Sequence, residues 1–398
     1  MVSMQKTPNA NRLHIGIFGK RNSGKSSLIN ALTGQDTALV SKIAGTTTDP
    51  VYKAMELRGI GASLFIDTAG FDDVGELGKL RVEKTKEALS KSDIAIFVFA
   101  DRDIEDAKDW VEACQKNKTP IIAVVNKSDV LSDKEEVASK IQQLYGLDTI
   151  LVSSKSGEGL AAIRQKLLRS LPEGYEKDSI LAGLAQPNDV VMLVMPQDSE
   201  APKGRLILPQ AQTIRELLDD ACITVSVTPD TMVRALEALK EPPKLIITDS
   251  QVFSFVYEHK PEESKLTSFS ILFAAYKGDL DAFLEGAKAI DNLKETSRVL
   301  IAEACTHAPL TEDIGRVKLP ALLRKKVGNG LTVDIVAGVD FPKNVSSYDL
   351  IIHCGACMFN RKYVLSRVQQ AKEQRVPMTN YGIALAHLKG ILSKVSLS

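Results

Sequence analysis

Between residues 12 and 168, short apolar runs alternate with longer stretches whose apolar positions recur every three to four residues. "LHIGIFG", "SLFIDTAG", "IAIFVFA", "PIIAVVNK" and "TILVSS" are nearly continuous apolar runs of strand length, the pattern of strands covered on both faces. "GKSSLINALTG" and "EVASKIQQLYG" carry a helical period, and Gly146 stops the second. Such alternation predicts a mainly parallel sheet wrapped by helices. The stretch 169–189 mixes proline, glycine and charge and reads as a linker. A smaller βα region comes next, from "VVMLVMP" through "AQTIRELLDDA" and "TPDTMVRALEALKE" to "KLIITD". A second polar break, "YEHKPEESKLTS" at 257–268, precedes a third region. There "SRVLIAEAC", "LTVDIVAG" and "YDLIIHC" predict strands, and "NRKYVLSRVQQAKEQ" predicts a helix.

With 398 residues the chain exceeds one hydrophobic core, so two or three domains are expected. Its 50 basic and 50 acidic residues balance, which gives no general grip on nucleic acid or an anionic membrane. No apolar run approaches the roughly 18 residues of a membrane span. "MVSMQKTPNANR" lacks the apolar core of a secretory signal. Five cysteines form no disulfide framework, so the expected setting is cytoplasmic and reducing, where clustered cysteines bind metal or do redox chemistry.

"GKRNSGKSS" fits G-x-x-x-x-G-K-[ST], with Gly19, Gly24, Lys25 and Ser26 in the defining places, between a strand and a helix. The glycines let backbone N–H groups, including those of Ser23 and Ser27 nearby, turn toward phosphates. Lys25 is placed to neutralise the β and γ oxygens and Ser26 to ligate Mg²⁺. "FIDTAG" ends a strand with Asp67 and Gly70 in D-x-x-G spacing, suited to holding Mg²⁺ through water and meeting the γ-phosphate. "VVNKSD" places Asn126, Lys127 and Asp129 at the end of a later strand. The Asp129 carboxylate can accept from the N1–H and N2–H₂ edge of guanine, which adenine does not offer, so the base is guanine.

The order GKRNSGKSS, AGTTTD, DTAG, NKSD, SSKSGEG resembles the five motifs of translation-factor-class GTPases over about 160 residues. The resemblance implies that Thr47 completes the Mg²⁺ shell and that backbone near Ser153, Ser154 and Lys155 touches the base. Ser154 stands where alanine is usual. Phe71 follows Gly70, so the glutamine that orients water in small signalling GTPases is missing. Asn22 in G-x-x-N-x-G-K-S is similar to the potassium-activated GTPases related to the tRNA-modification protein MnmE. That likeness implies a K⁺ ion at Asn22 supplying charge at the phosphates. Lys25, Asn22, Thr47 and Gly70 are then the catalytic group, hydrolysis of GTP to GDP is slow, and a switch or timer is the expected role.

"EACTHAP" supplies Cys305 and His307, and "IIHCGACMFN" supplies His353, Cys354 and Cys357. Cys305 and Cys354 each end a predicted strand. If those strands are parallel neighbours, both lie on one rim, where α/β sheets place ligands. A helix after Cys357 would aim its positive end at the thiolates. A dithiol pair, a Cys₃His zinc site and a [4Fe–4S] cluster with an exchangeable iron are all chemically open.

C-x-H, 45 residues, then H-C-x-x-C behind an MnmE-like GTPase domain resembles the [FeFe]-hydrogenase maturation GTPases, the HydF family, over the whole chain. That implies an α/β fold class: a P-loop GTPase domain with a mainly parallel sheet, followed by two smaller α/β domains. The expected divisions are a flexible N-terminus 1–11, GTPase domain 12–172, linker 173–189, dimerisation domain 190–262 and cluster-binding domain 263–398. The resemblance further implies a [4Fe–4S] cluster on Cys305, Cys354 and Cys357, and a scaffold or carrier of the two-iron subcluster precursor. Partners would be two radical-SAM maturases, the apo-hydrogenase and a second copy of the chain, with neither membrane nor nucleic acid. His307, His353 and Glu312 are candidates for the fourth ligand or for orienting a thiolate. The rival readings are a translation- or tRNA-associated GTPase with structural zinc, and a redox sensor pairing Cys354 with Cys357. His14, His259, His387, Cys114, Cys222 and the sole tryptophan read as structural, and "FDDVGE" reads as a mobile switch loop.

Overall fold

The computed structural model describes residues 8–34, 41–43, 50–57, 60–72, 76–172, 179–197, 204, 206–303, 314–338, 340–356 and 359–397. Contacts divide the chain into two units, Met1–Glu176 and Lys177–Ser398.

In the first unit, β1 (Leu13–Phe18), β2 (Ser41–Ile43), β3 (Val51–Leu57), β4 (Gly61–Asp67), β5 (Ile94–Phe99), β6 (Ile121–Val125) and β7 (Thr149–Leu151) form one sheet in the order β2-β3-β4-β1-β5-β6-β7. Helices α1 (Lys25–Gly34), α2 (Glu76–Lys91), α3 (Lys108–Lys116), α4 (Lys134–Tyr145) and α5 (Leu160–Arg169) connect them. β1 and β5 are buried along their whole length, which explains their nearly continuous apolar runs. Alternate residues enter opposite layers: Ile94, Ile96 and Val98 join one core cluster, while Ala95, Phe97 and Phe99 join the other. β4, β1, β5, β6 and β7 are parallel, whereas β2 and β3 are antiparallel additions that no motif announced. Gly146 ends α4 at φ 67, as its place in the pattern predicts.

The second unit holds two parallel sheets. The first takes β8 (Val190–Val194), β9 (Ile223–Val227), β10 (Leu245–Thr248) and β11 (Lys265–Ser268) in the order β11-β10-β8-β9. The second takes β12 (Arg298–Ala302), β13 (Thr332–Val336), β14 (Leu350–His353) and β15 (Met378–Asn380) in the order β13-β12-β14-β15. Helices α6 (Leu208–Asp219), α7 (Met232–Ala238), α8 (Phe253–His259), α9 (Phe269–Lys277), α10 (Leu280–Lys288), α11 (Leu319–Val327), α12 (Arg361–Glu373) and α13 (Tyr381–Leu388) cover them.

The described residues of two expected breaks are packed into the second unit. Within 173–189, Ile180, Leu181, Leu184 and Ala185 are buried under the first of these sheets. The Glu216 carboxylate anchors that segment, accepting from Ile180 N–H at 3.0 Å and Leu181 N–H at 3.0 Å. Within 257–268, α8 ends and β11 begins, so "KLTS" is an edge strand of the β8 sheet and does not separate that sheet from the third region. Its polar residues hid a four-residue strand too short for a visible period. A single apolar cluster then runs from Met192 and Ile246 through Ile271, Phe283 and Ala287 to Leu300, Ile351 and Ala356, uniting both sheets.

α10 lies against β15 through Gly286, where an added Cβ would stand 2.1 Å from the Met378 carbonyl oxygen. Gly286→Ala should therefore destabilise the second unit by about 1–3 kcal/mol, the usual cost of overpacking. Because Trp110 is the only tryptophan, its fluorescence reports the first unit alone. In urea, the circular-dichroism transition should broaden toward lower denaturant while the Trp110 transition stays in place.

Candidate functional site

In the first unit, the carboxyl ends of the parallel strands carry the nucleotide motifs. The phosphate loop leaves β1 and enters α1. Gly24 sits at φ 91, and a Cβ there would meet Asn126 Nδ2 at 2.3 Å, so glycine is required on both counts. Lys25 is buried, and its Nζ donates to the carbonyls of Gly19 at 2.9 Å and Lys20 at 2.7 Å, centring the ammonium in the loop. Ser26 and Ser27 are exposed on the first turn of α1, while Ser23 is buried. Asn22 is exposed and left-handed at φ 60, a conformation asparagine tolerates better than most residues.

Asp67 ends β4 opposite Ile17. Its Oδ1 is buried with no hydrogen-bond partner among the described residues, an acceptor suited to a hydrated cation. With Ser26 at the helix start, the donor set fits Mg²⁺. Gly70 packs close enough that a Cβ would stand 2.7 Å from Arg21 N, and Arg21 N–H donates to Asp72 Oδ1 at 2.7 Å. The D-x-x-G turn is thus laced to the phosphate loop. Thr47 lies outside the described residues, as do residues 73–75 of the expected switch loop.

Asn126 joins three motifs. Its Nδ2 donates to the Ser23 carbonyl at 3.0 Å, and its Oδ1 accepts from Ser154 N–H at 3.2 Å and from Ser154 Oγ at 2.9 Å. The serine in place of alanine therefore adds a bond to the scaffold. Lys127, Asp129 and Lys155 are exposed along this rim, and buried Ser153 accepts from Ser156 N–H at 3.1 Å.

Two features escaped the motif reading. Lys20 is held by Asp103 and by Asp106 at 2.9 Å. Burial opposes its charge, but the two carboxylates outweigh this and hold the ammonium above its usual range. Phe71, in the place of the missing glutamine, stacks on Trp110 with centroids 5.9 Å apart.

In the second unit, β12 and β14 are parallel neighbours with Ala302 opposite His353. Cys354 N–H donates to the Ala302 carbonyl at 2.9 Å, so Cys354 leaves its strand beside the strand that leads to Cys305. Arg316 grips the Glu303 carboxylate through Nε at 3.1 Å and Nη2 at 2.9 Å, pinning together the two ends of the segment that contains Cys305, His307 and Glu312. Those three residues and Cys357 lie outside the described residues. Among the described residues no group of three metal-binding side chains assembles.

The surroundings of Cys354 suit a thiolate. Its Sγ accepts from Ala356 N–H at 3.4 Å, and α12 begins just beyond, capped by Asn360 accepting from Tyr363 N–H at 3.3 Å. His353 is buried and both its ring nitrogens are engaged. Arg367 Nη1 lies 2.8 Å from Nε2, and because a guanidinium only donates, Nε2 accepts and Nδ1–H donates to the Cys354 carbonyl at 2.7 Å. Full burial, then the Arg367 charge, against the carbonyl bond, lowers the His353 pKa to about 3, so the ring is neutral. Lys277, buried at the end of α9, donates to Phe359 O at 2.9 Å and Ala356 O at 3.4 Å.

Residues 14–127 match the family of 50S ribosome-binding GTPases, residues 180–278 the hydrogen maturase F dimerization domain, and residues 281–397 the hydrogen maturase F tetramerization domain. The two maturase matches together cover more than half of the chain. GTPase Der of Wolinella succinogenes is 37% identical over 171 residues, 39% of this chain and 35% of that protein. The tRNA modification GTPase MnmE of Helicobacter acinonychis is 37% identical over 194 residues, 47% of this chain and 42% of that protein. The chain thus spans less than half the length of these curated relatives. A single-residue variant of Era from Aquifex aeolicus, bound to GDP and AlF₄⁻, aligns with 18% identity and a TM-score of 0.35, over 63% of this chain and 98% of that one. No helix among the described residues is long and apolar enough to cross a membrane.

Removing the Asn126 amide leaves a buried carbonyl and N–H unpaired at about 1–3 kcal/mol. Asn126→Ala should weaken GTP binding roughly 10- to 100-fold, measured by titration with a fluorescent guanine nucleotide. Ser154→Ala, which keeps the backbone bond, should change affinity far less.

Proposed function

Because the chain belongs to the hydrogen maturase F family and carries a GTPase domain, we propose that it is a GTP-hydrolysing scaffold or carrier for [FeFe]-hydrogenase maturation. In this reading it holds a [4Fe–4S] cluster on Cys305, Cys354 and Cys357, and its cargo is the precursor of the hydrogenase two-iron subcluster. Radical-SAM maturases supply that cargo and the apo-hydrogenase receives it. The dimerization and tetramerization domains make it an oligomer, the dimer included. The observation that carries the reading is the β12–β14 register, which sets Cys354 beside the strand leading to Cys305. The likenesses to Der and MnmE cover about 40–50% of the chain, and the maturase matches account for the second unit.

At the nucleotide end, Lys25 neutralises the phosphates, Asp129 selects guanine, and Ser26, Thr47 and Asp67 hold Mg²⁺, which supplies further positive charge there. Asn22 holds K⁺, standing in for an arginine finger, and turnover is slow without it. At the sulfur end, His353 orients the Cys354 backbone, and the cluster when bound supplies an exchangeable iron position. His307 and Glu312 are the remaining candidates for its fourth ligand.

Anaerobic reconstitution with iron and sulfide, metal counting and EPR after dithionite test the whole. About four irons per chain with a reduced cluster signal are expected, lost or altered in Cys305→Ser while GTP hydrolysis persists. Lys25→Ala should lower hydrolysis by about 10²-fold or more with iron content unchanged. Stoichiometric zinc in place of iron would return the chain to the tRNA-GTPase reading.

The K⁺ role has its own test, because the left-handed backbone gives a second reason for asparagine at position 22. Asn22→Gly keeps that conformation and removes the side-chain oxygen. The ratio of hydrolysis rates in K⁺ and Na⁺ buffers should exceed one in the natural protein and fall toward one in the variant. A ratio unchanged by the substitution would assign Asn22 to loop shape alone.

A further inference from the structure

Arg367 is 3% exposed, on the face of α12 that also buries Tyr363, Val364, Val368 and Ala371. Its Nη1 donates to His353 Nε2 at 2.8 Å, and its Nη2 donates to Gly338 O at 2.6 Å and Tyr363 Oη at 3.2 Å. Three rings surround the guanidinium carbon: Tyr363 at 4.6 Å, Phe341 at 4.9 Å and Phe359 at 5.2 Å. Its Nε–H is buried with no hydrogen-bond partner among the described residues, and none of their carboxylates lies within ion-pair distance.

Burying a charge without an opposite one is strongly unfavourable, and protein chains ordinarily avoid it with an acid or with an exposed head group. Here the aromatic rings and neutral acceptors fix the position of the cation, and among the described residues no carboxylate cancels its charge. The bond through His353 leads directly to the backbone of Cys354. On the other side, Lys277 of α9 donates to two carbonyls of the same loop. Positively charged side chains thus reach, directly or through His353, the carbonyls of Cys354, Ala356 and Phe359.

We propose that Arg367, acting through His353, is a positioning and charge-compensating residue for the cysteine loop: its fixed charge stabilises the more negative, reduced state of the thiolate-bound cluster and raises the cluster's reduction potential. The inference rests on the cluster reading above. The donor set supports it, since a group bearing several thiolates is the anion that a buried, uncancelled cation is suited to face. The competing role is a purely structural brace, in which the cation only packs aromatic rings.

The test is an EPR-monitored redox titration of reconstituted natural protein, Arg367→Gln and Arg367→Lys, with iron counts, far-UV circular dichroism and GTP hydrolysis beside it. Arg367→Gln should keep its iron and fold while its midpoint potential shifts to more negative values. Arg367→Lys, which retains the charge and loses the fork, should stay near the natural potential. Equal potentials in the natural protein and Arg367→Gln would overturn the proposal. Should Arg367→Gln fail to fold or to hold iron, Arg367→Lys decides: a natural potential with full iron supports the charge role, and loss of the cluster assigns Arg367 to bracing. Absence of any cluster in the natural protein overturns the cluster reading and this inference with it, and is distinguished because the failure precedes any substitution.

Discussion

The sulfur end of this protein depends on one ladder of backbone bonds, the parallel pairing of β12 with β14. Parallel pairing is what allows residues about fifty positions apart to leave the sheet on the same rim. An antiparallel pair would send the two cysteine-bearing loops to opposite ends, whatever the side chains. The ladder is itself stabilised by burial, since Leu300 and Ile351 face the cluster shared with the β8 sheet while Val299, Ile301, Leu350 and Ile352 face the other layer. Slipping the register by one residue would turn all of these to the wrong side. The placement of Cys354 is therefore as secure as the core on which it rests.

The same logic governs the first unit with a different outcome. There the loops at the rim are tied to one another by hydrogen bonds made by side chains. Asn126 provides the tie, and it is 1% exposed, which strengthens its bonds and makes their loss costly. Asp129, by contrast, is exposed. Residues of one motif thus divide between building the site and facing outward, a division spacing alone does not reveal.

Much of the fold was legible because parallel strands buried on both faces are mostly apolar, as β1, β5 and β14 are, with only His14 and His353 interrupting the runs. β3 escaped because its burial is broken, with exposed or half-buried positions at Val51, Tyr52 and Glu56. β11 escaped because its four residues, only one of them apolar, carry no period. The nucleotide motifs were legible because phosphate and base chemistry admits few residue types at each place. The buried cations belong to no motif, yet Arg367 carried a signal. It stands in register with Tyr363, Val364, Val368 and Ala371 on α12, where an apolar residue would be ordinary. A charged residue on the apolar stripe of a helix requires a reason, and sequence pattern can flag it even when it cannot supply the partner.

That reason becomes sharper when cations near the two sites are compared by what holds them. Lys20 is bound by two carboxylates and contributes little net field. Arg367 donates instead to a carbonyl, a hydroxyl and an imidazole, all of them neutral. A carboxylate fixes a cation and quenches it, whereas a neutral acceptor fixes it and leaves its charge to act on whatever approaches. The carbonyls of Gly19 and Lys20 help orient the Lys25 ammonium in the phosphate loop, with phosphate for its target by the logic of that loop. Arg367 is held beside a loop whose cysteine is already the acceptor of a backbone N–H. In a chain of zero net charge, local quenching decides where positive charge can act, and among the described residues no carboxylate quenches Arg367, whose guanidinium is linked through His353 to the Cys354 carbonyl.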